Sequence, residues 1–413
     1  MAFFGKYALA ALGAAVAVSS AAHAQNADWT NRISINGDFR FRLERDMNGA
    51  YTPTTSAPPA TGVDDYARIR ARLGITGKVN DNLLVVTRLS TGNNQYTTNA
   101  TLGGTNFLQS GSFGSRKLFS LDLAYADYKI TDGQNVQLGK VPVLFWTPAR
   151  TEMVWNLAAT FEGAQYKWAG DYGAWKPWLI VNYSTPLNRV DGGAQTSSTD
   201  TTNGPDVNLL AAQIGTSYKT DTQWAVLGLG SYNYNNINGL GVGAAGFDTS
   251  ANPPPTAPFG MTGFGNLANN NATNATGTAY ANDYNIVDLG LEYGYYLGFA
   301  PVSVFANYAT NTSTSTDNVS ELVGFKIGAL KDVGSWYAQY DYRDVRRSSV
   351  LGAYSDISYL NGGVDVYGSQ VLLGWQWMQN TAIGFDYDFG HKMVSQSGGS
   401  VYEMYMLDLV TTF

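Results

Sequence analysis

From Arg32 the chain alternates strictly: Ile33, Ile35, Phe39, Phe41 and Leu43 fall on one phase, and Ser34, Asn36, Asp38, Arg40 and Arg42 on the other. Period 2 is the mark of a strand with one apolar and one polar face. The pattern returns in Ile69, Leu73 and Ile75 against Arg68, Arg70 and Arg72, and in Val287, Leu289, Leu291 and Tyr293 against Asp288 and Glu292. Trp336, Ala338, Tyr340 and Tyr342 oppose Gln339, Asp341 and Arg343, and Ile383, Phe385, Tyr387 and Phe389 oppose Asp386 and Asp388. The breaks delimit 16 candidate strands, near 29–44, 67–78, 83–91, 118–130, 135–141, 159–168, 175–184, 207–219, 223–234, 284–294, 301–309, 319–330, 335–344, 366–378, 381–389 and 401–413. The gaps alternate long and short. The long ones are 45–66, 92–117, 142–158, 185–206, 235–283, 310–318, 345–365 and 390–400, and the short ones are tight turns such as Val79-Asn80-Asp81-Asn82. A soluble sandwich also alternates but has no reason to sort its loops. The predicted fold class is therefore all-β: a transmembrane antiparallel up-and-down β-barrel of about 16 strands, with short periplasmic turns and long extracellular loops. An even strand count puts both chain ends on the turn side.

Residue placement agrees with that map. All 13 prolines lie in proposed loops, turns or strand ends, where a missing N–H breaks no ladder bond. Trp29, Trp168, Trp175, Trp178, Trp224, Trp336, Trp375 and Trp377 lie beside proposed turns, as in an interfacial aromatic girdle. Tyr183, Tyr232, Tyr308 and Phe389 are expected in the girdle at the other rim. The weakest strands are 135–141, which is short, and 118–130, whose apolar phase slips near Tyr125 and so suggests a bulge.

Composition narrows the setting. Lys6, the apolar run Tyr7 to Val18, and Ala22-His23-Ala24 read as a signal peptide over residues 1–24, leaving 25–413 as the barrel. No stretch reaches the ~18 consecutive apolar residues of a transmembrane helix. The absence of cysteine excludes thiolate-held metal sites and disulfides. A net charge of −7 argues against a nucleic-acid partner, and no cofactor is implied.

The stretch Ala67-Arg68-Ile69-Arg70-Ala71-Arg72-Leu73-Gly74 with Asn80-Asp81-Asn82, together with Leu121-Asp122-Leu123-Ala124-Tyr125 and Val136-Gln137-Leu138-Gly139-Lys140, resembles the putative porin family of Gram-negative outer membranes. The resemblance covers the first third best. It implies a diffusion channel for small hydrophilic solutes or ions, an inward-folded third loop, and a homotrimer joined near strands 1–5 with 92–117 as a latch. Expected partners are outer-membrane lipid and lipopolysaccharide, and the barrel-assembly machinery, which reads a last strand alternating through Tyr405, Leu407, Leu409 and Thr411 to terminal Phe413. Phosphate-selective relatives use lysine-rich constrictions, whereas 142–158 contains no lysine.

The functional candidates follow from phase. Arg40, Arg42, Arg68, Arg70, Arg72 and Arg88 occupy the polar phase of the first three strands, and Asp288, Glu292, Asp341, Asp386, Asp388 and Asp408 that of later ones. A charge facing lipid at mid-membrane costs about 2–4 kcal/mol, so these groups belong in the lumen. Two readings stay open: an arginine wall lining a constriction with a weak anion preference, or local salt bridges in which Asp408 or Asp388 neutralises the arginines. In 142–158 the aromatics Phe145, Trp146 and Trp155 either pack the loop on the inner wall, leaving Arg150 and Glu152 at an eyelet, or belong to a girdle or subunit contact. Loop 235–283, with Pro253-Pro254-Pro255 and Asn269-Asn270-Asn271, suits a surface receptor or adhesin role that is compatible with a channel. A barrel hydrolase would have to rest on His391 alone once His23 is removed, and no catalytic or metal-ligating set is assigned.

Overall fold

The computed structural model of the chain describes residues 31–48, 62–92, 97–102, 117–188, 204–240, 271–272, 279–392 and 400–413. The proposed signal peptide, Trp29, and most of loops 92–117 and 235–283 lie outside the described residues.

The strands are β1 (Ile33–Asn48), β2 (Gly62–Asn80), β3 (Leu83–Thr91), β4 (Ala100–Leu102), β5 (Phe119–Thr131), β6 (Gln134–Pro142), β7 (Thr160–Ala169), β8 (Trp175–Leu187), β9 (Val207–Lys219), β10 (Gln223–Asn235), β11 (Tyr284–Tyr296), β12 (Pro301–Asn311), β13 (Val319–Gly328), β14 (Trp336–Val345), β15 (Val366–Met378), β16 (Thr381–Lys392) and β17 (Ser400–Thr412). Each pairs antiparallel with its neighbours, and β17 pairs with β1, so the sheet closes. β3 and β4 both pair with β2 on the same side and form one wall position, which makes the barrel 16-stranded. Among the described residues every strand except the short β4 is paired on both sides, as a sheet in hydrocarbon requires.

The expected boundaries hold to within a few residues, with informative differences. β1 and β2 run four rungs further than the alternation suggests, ending on Asn48↔Gly62, and the cross-strand pair Arg45–Asp65 (2.6 Å) stands on that extension. The expected bulge is real: Arg88 faces Leu123 while Leu89 faces Leu121, leaving Asp122 as the extra residue. The short strand at 135–141 is a fully paired element, β6.

Ile35, Leu43, Leu227, Leu291, Val304, Phe325 and Leu407 are exposed on the outward phase and form the apolar belt. Trp175, Trp336, Trp375 and Trp377 are likewise exposed near the short turns, and Trp168 shares their outward phase. Trp178, Trp224 and Tyr232 depart from the expected girdles. All three face inward: Trp178 packs on Trp146, the Trp224 ring lies over Gly294, and Tyr232 is fully buried. The reason is that the inward phase of β8–β11 is itself apolar in places, because loops pack against it from inside.

The closing seam is tight. Gly37 N–H donates to Phe413 O (3.0 Å) and Phe413 N–H to Gly37 O (3.1 Å), while a Cβ at Gly37 would lie 2.5 Å from the Phe413 ring. Gly37→Leu should therefore displace the last strand and abolish the detergent-resistant folded band in an unheated gel. Retention of that band at wild-type intensity would show that the seam tolerates the side chain.

Candidate pore constriction

Residues 143–159 join β6 to β7 and carry Val143, Leu144, Phe145, Trp146, Met153, Val154 and Trp155. An apolar segment of this kind is costly in water, and burying each large side chain is worth roughly 1.5–3 kcal/mol. It folds into the barrel. Trp155 stacks edge-on against Tyr232 (4.8 Å) and Phe161 (5.3 Å), and Phe145 lies 5.1 Å from Tyr232. The wall supplies a socket: Gly215, Gly228 and Gly290 face one another across β9, β10 and β11. A Cβ at Gly290 would sit 2.8 Å from the Trp146 ring and 3.0 Å from Pro148, so the wall must be bare there. Gln213 clamps the loop in both directions, accepting from Trp146 N–H (2.8 Å) and donating to Trp146 O (2.9 Å). Glu292 accepts from Ala149 N–H (2.9 Å). At this tip Ala149 and Arg150 both hold positive φ (47° and 63°), a strained pair that the surrounding contacts maintain.

A second inward loop, 346–365, was not foreseen from the sequence. Tyr359, Leu360 and Val364 are buried in the same interior core as Trp155. It is tied to the wall through Arg343, which binds Asp341 (2.7 Å), Asp356 (2.9 Å) and Gln370 (2.8 Å), and whose guanidinium lies 4.1 Å over the Tyr359 ring. Leu360 N–H donates to Asp388 (3.3 Å), and Lys392 Nζ donates to Leu360 O (2.9 Å). The two inward loops meet where Asp356 N–H donates to Glu152 O (2.9 Å) and Asn156 N–H to Tyr354 O (2.6 Å). Asn271, wholly buried, donates to the carbonyls of Arg347 and Val350 and adds part of the 235–283 segment to the same plug.

All twelve wall residues singled out from the sequence face inward, but they do not form one surface. Asp288, Asp341 and Asp388 are buried beneath the loops: Asp288 accepts from Asn307 (2.6 Å) and Tyr232 (3.1 Å), and Asp388 from Gln370 (2.9 Å). Asp386 accepts from the same Gln370 (3.3 Å). Glu292 stays half-buried beside Arg150. The arginines stand together on β1–β3 and are partnered. Arg70 and Arg72 share Asp38 (2.8 and 2.5 Å), Arg42 donates to Asp408 through Nε and Nη2 (2.7 Å each), Arg68 meets Glu44 (3.3 Å) and Arg88 meets Asp122 (2.6 Å). Arg40 lies 3.7 Å from Asp408 and donates to Asn99. Of the two acids foreseen as neutralising the wall, Asp408 does so, whereas Asp388 holds the second loop. Asn99 belongs to a feature alternation does not reveal. The wall position shared by β3 and β4 is interrupted, and Thr91 Oγ1 fastens the interruption by accepting from Ala71 N–H and donating to Thr98 O (both 2.9 Å). Part of the expected latch, 97–102, therefore lies in and against its own barrel. Of the expected eyelet pair, Arg150 is exposed to the lumen, while Glu152 points into the contact between the two loops.

Burial, reinforced by the negative charge of Asp356, pushes the Glu152 carboxyl up to about 8. That value lies above the ordinary carboxyl range, so the neutral acid favours the docked loops. The stabilisation is complete in mild acid and is lost as pH rises through 8. The unfolding temperature in detergent should fall between about pH 5 and pH 8 in the wild type, and fall less in Glu152→Gln. Parallel curves for the two proteins would remove Glu152 from the contact's pH dependence.

Against known proteins, a family model described as Putative porin matches residues 48–257. No curated protein matches the chain. Among solved structures, Pseudomonas putida OprB at high pH is similar with a TM-score of 0.55 and 11% identity, over 93% of this chain and 95% of that one. Salmonella typhi OmpF in complex with daunomycin gives a TM-score of 0.47 at 10% identity, over 92% and 97% of the two chains. At these identities the OprB likeness speaks for the fold alone, and the OmpF one carries no argument.

Proposed function

The chain belongs to the family described as Putative porin, and from its membership as an outer-membrane channel we propose that small hydrophilic solutes diffuse along the arginine-bearing wall rather than down the barrel axis. One observation carries this reading. The two inward loops fill the long-loop half of the lumen against β6–β17 with an apolar core, whereas the side chains of Arg40, Arg68, Arg70, Arg72 and Arg88 keep 14–24% of their surface open to water. The tip of 143–159, with Arg150, narrows the remaining space from the far side. This keeps the third loop as the constriction and makes 346–365 a second part of it.

The outward face near β6 and β7 supports a further proposal, that the protein is a homotrimer joined through this part of the wall. Lys140 and Glu162 form an ion pair there (2.7 Å) on the outward phase. Charge on that face disfavours lipid contact and suits a subunit boundary. Exposed Phe413 at the seam suits recognition by the assembly machinery, and the outward belt suits lipid and lipopolysaccharide. A catalytic role has little support: His391 stacks on Tyr367 (4.8 Å), and its buried Nδ1 has no hydrogen-bond partner.

The chain has no cysteine, so single thiols report access cleanly. Arg72→Cys should react with a charged methanethiosulfonate and lower the single-channel current, while Asp288→Cys stays unlabelled in the folded protein. Equal labelling at both positions, or an unaffected current, would place the passage elsewhere. Selectivity follows from the pairing. Because the arginines face Asp38, Glu44, Asp122 and Asp408, the wild type should be close to non-selective, short of the anion preference that an unpaired ladder would give. Asp38→Asn releases Arg70 and Arg72 and should move the reversal potential toward anions, most clearly at low salt, where screening is weakest. A wild type already strongly anion-selective would contradict this.

A further inference from the structure

Beneath the loop tip, at the short-turn end of the barrel, lies a cavity of about 440 Å³. That lies within the roughly 300–1,000 Å³ of small-molecule sites. Its walls include Trp146, Trp224 and Tyr296, and its charged groups are Arg150, Lys326 and Glu292. Arg150 is exposed, and its guanidinium has no ion-pair or hydrogen-bond partner among the described residues. Lys326 is held 4.6 Å over the Tyr337 ring, with no carboxylate in ion-pair contact among the described residues. This departs from the rest of the lumen, where Arg42, Arg68, Arg70, Arg72, Arg88 and Arg343 each have a carboxylate within 4.0 Å. Glu292, the one acid in the lining, already accepts from Ala149 N–H and serves to hold the loop. The lining thus has a surplus positive charge beside flat aromatic faces. Lys219, 5.9 Å from the Tyr296 ring, adds a further cation near the same side chain.

We propose that this cavity is a binding subsite for solutes that join a carboxylate to a flat apolar ring. The proposal rests on the reading of the lumen as a solute passage and names the class of solute the passage retains. A carboxylate satisfies Arg150 and Lys326 by charge-assisted hydrogen bonds, bidentate in the case of the guanidinium. The ring removes water from the indole and phenol faces and stacks against them. Neither half suffices alone: a small hydrated anion leaves the aromatic walls wet, and a neutral ring leaves the two cations as they were.

The probe is benzoate, with acetate and benzyl alcohol as its two halves, added to single channels carrying potassium chloride current in a planar bilayer. Benzoate should produce brief interruptions whose frequency rises with its concentration, and neither half should reproduce them at the same concentration. Arg150→Gln/Lys326→Gln should cut the benzoate affinity about tenfold or more, the usual weight of a hydrogen bond to a charged group. Neither group has an ion-pair partner among the described residues, and the half-buried Glu292 beside them is held by Ala149 N–H. The proposal is overturned if acetate or benzyl alcohol matches benzoate, if the double variant responds like the wild type, or if benzoate leaves a normal potassium chloride current untouched. A folded protein with no potassium chloride current would instead overturn the channel reading beneath it.

Discussion

A peptide group that cannot meet water must meet another peptide group, and in hydrocarbon a sheet achieves this by closing on itself. The pairing of β17 with β1 is that closure, and other properties of the molecule follow from it. Closure fixes which side chains face outward, which commits the polar phase of every strand to a confined interior. Charges confined there in a medium poorer in water than bulk need partners. Asp38 beneath two arginines and Asp408 beneath another two are the outcome. The lumen is therefore charged but close to balanced wherever the wall alone lines it.

The same confinement explains the plug. An outward surface given over to lipid offers no second layer on which to build a core, so the apolar core lies inside. Trp155, Phe145, Tyr232, Tyr359 and Leu360 pack within the barrel, brought there by two loops that depart from different wall positions and meet through Glu152 and Asp356. Packing on one side pushes the open space toward the other. The passage is thus set less by barrel diameter than by where the loops find sockets, and the glycines of β9–β11 are such a socket.

The wall was legible because alternation and turn residues report directly on a lipid-facing strand. Strand ends at Leu83–Thr91, Val207–Lys219 and Val366–Met378 match the alternation to the residue. The interior was legible only as far as it obeyed the same rule. In β10, Leu227 and Leu229 face out while Tyr232 and Tyr234 face in, so both phases are apolar, and alternation alone does not show that Trp224 and Tyr232 leave the girdle for the interior. Loop 346–365 spreads Leu351, Tyr359, Leu360 and Val364 through a Gly/Ser-rich stretch with no period, which is how a loop that packs without forming an element reads. A usable signal was present in Gly215, Gly228 and Gly290, small residues on the inward phase of three adjacent strands, but it becomes a row only when the register is known. Which arginine meets which acid was likewise out of reach, since Arg42 and Asp408 stand 366 residues apart.

That separation has a consequence for how the barrel is made. Arg40 and Arg42 belong to the first strand and Asp408 to the last, so the seam carries an ionic clasp as well as a ladder of amides. Until the final strand arrives, a nascent sheet presents two guanidinium groups of its first strand without this carboxylate. Any intermediate that left the seam ajar in the bilayer would expose both charges and open edges at the same place. Closing the seam relieves both penalties, so reopening the finished barrel along that line costs the amide ladder and these ion pairs together.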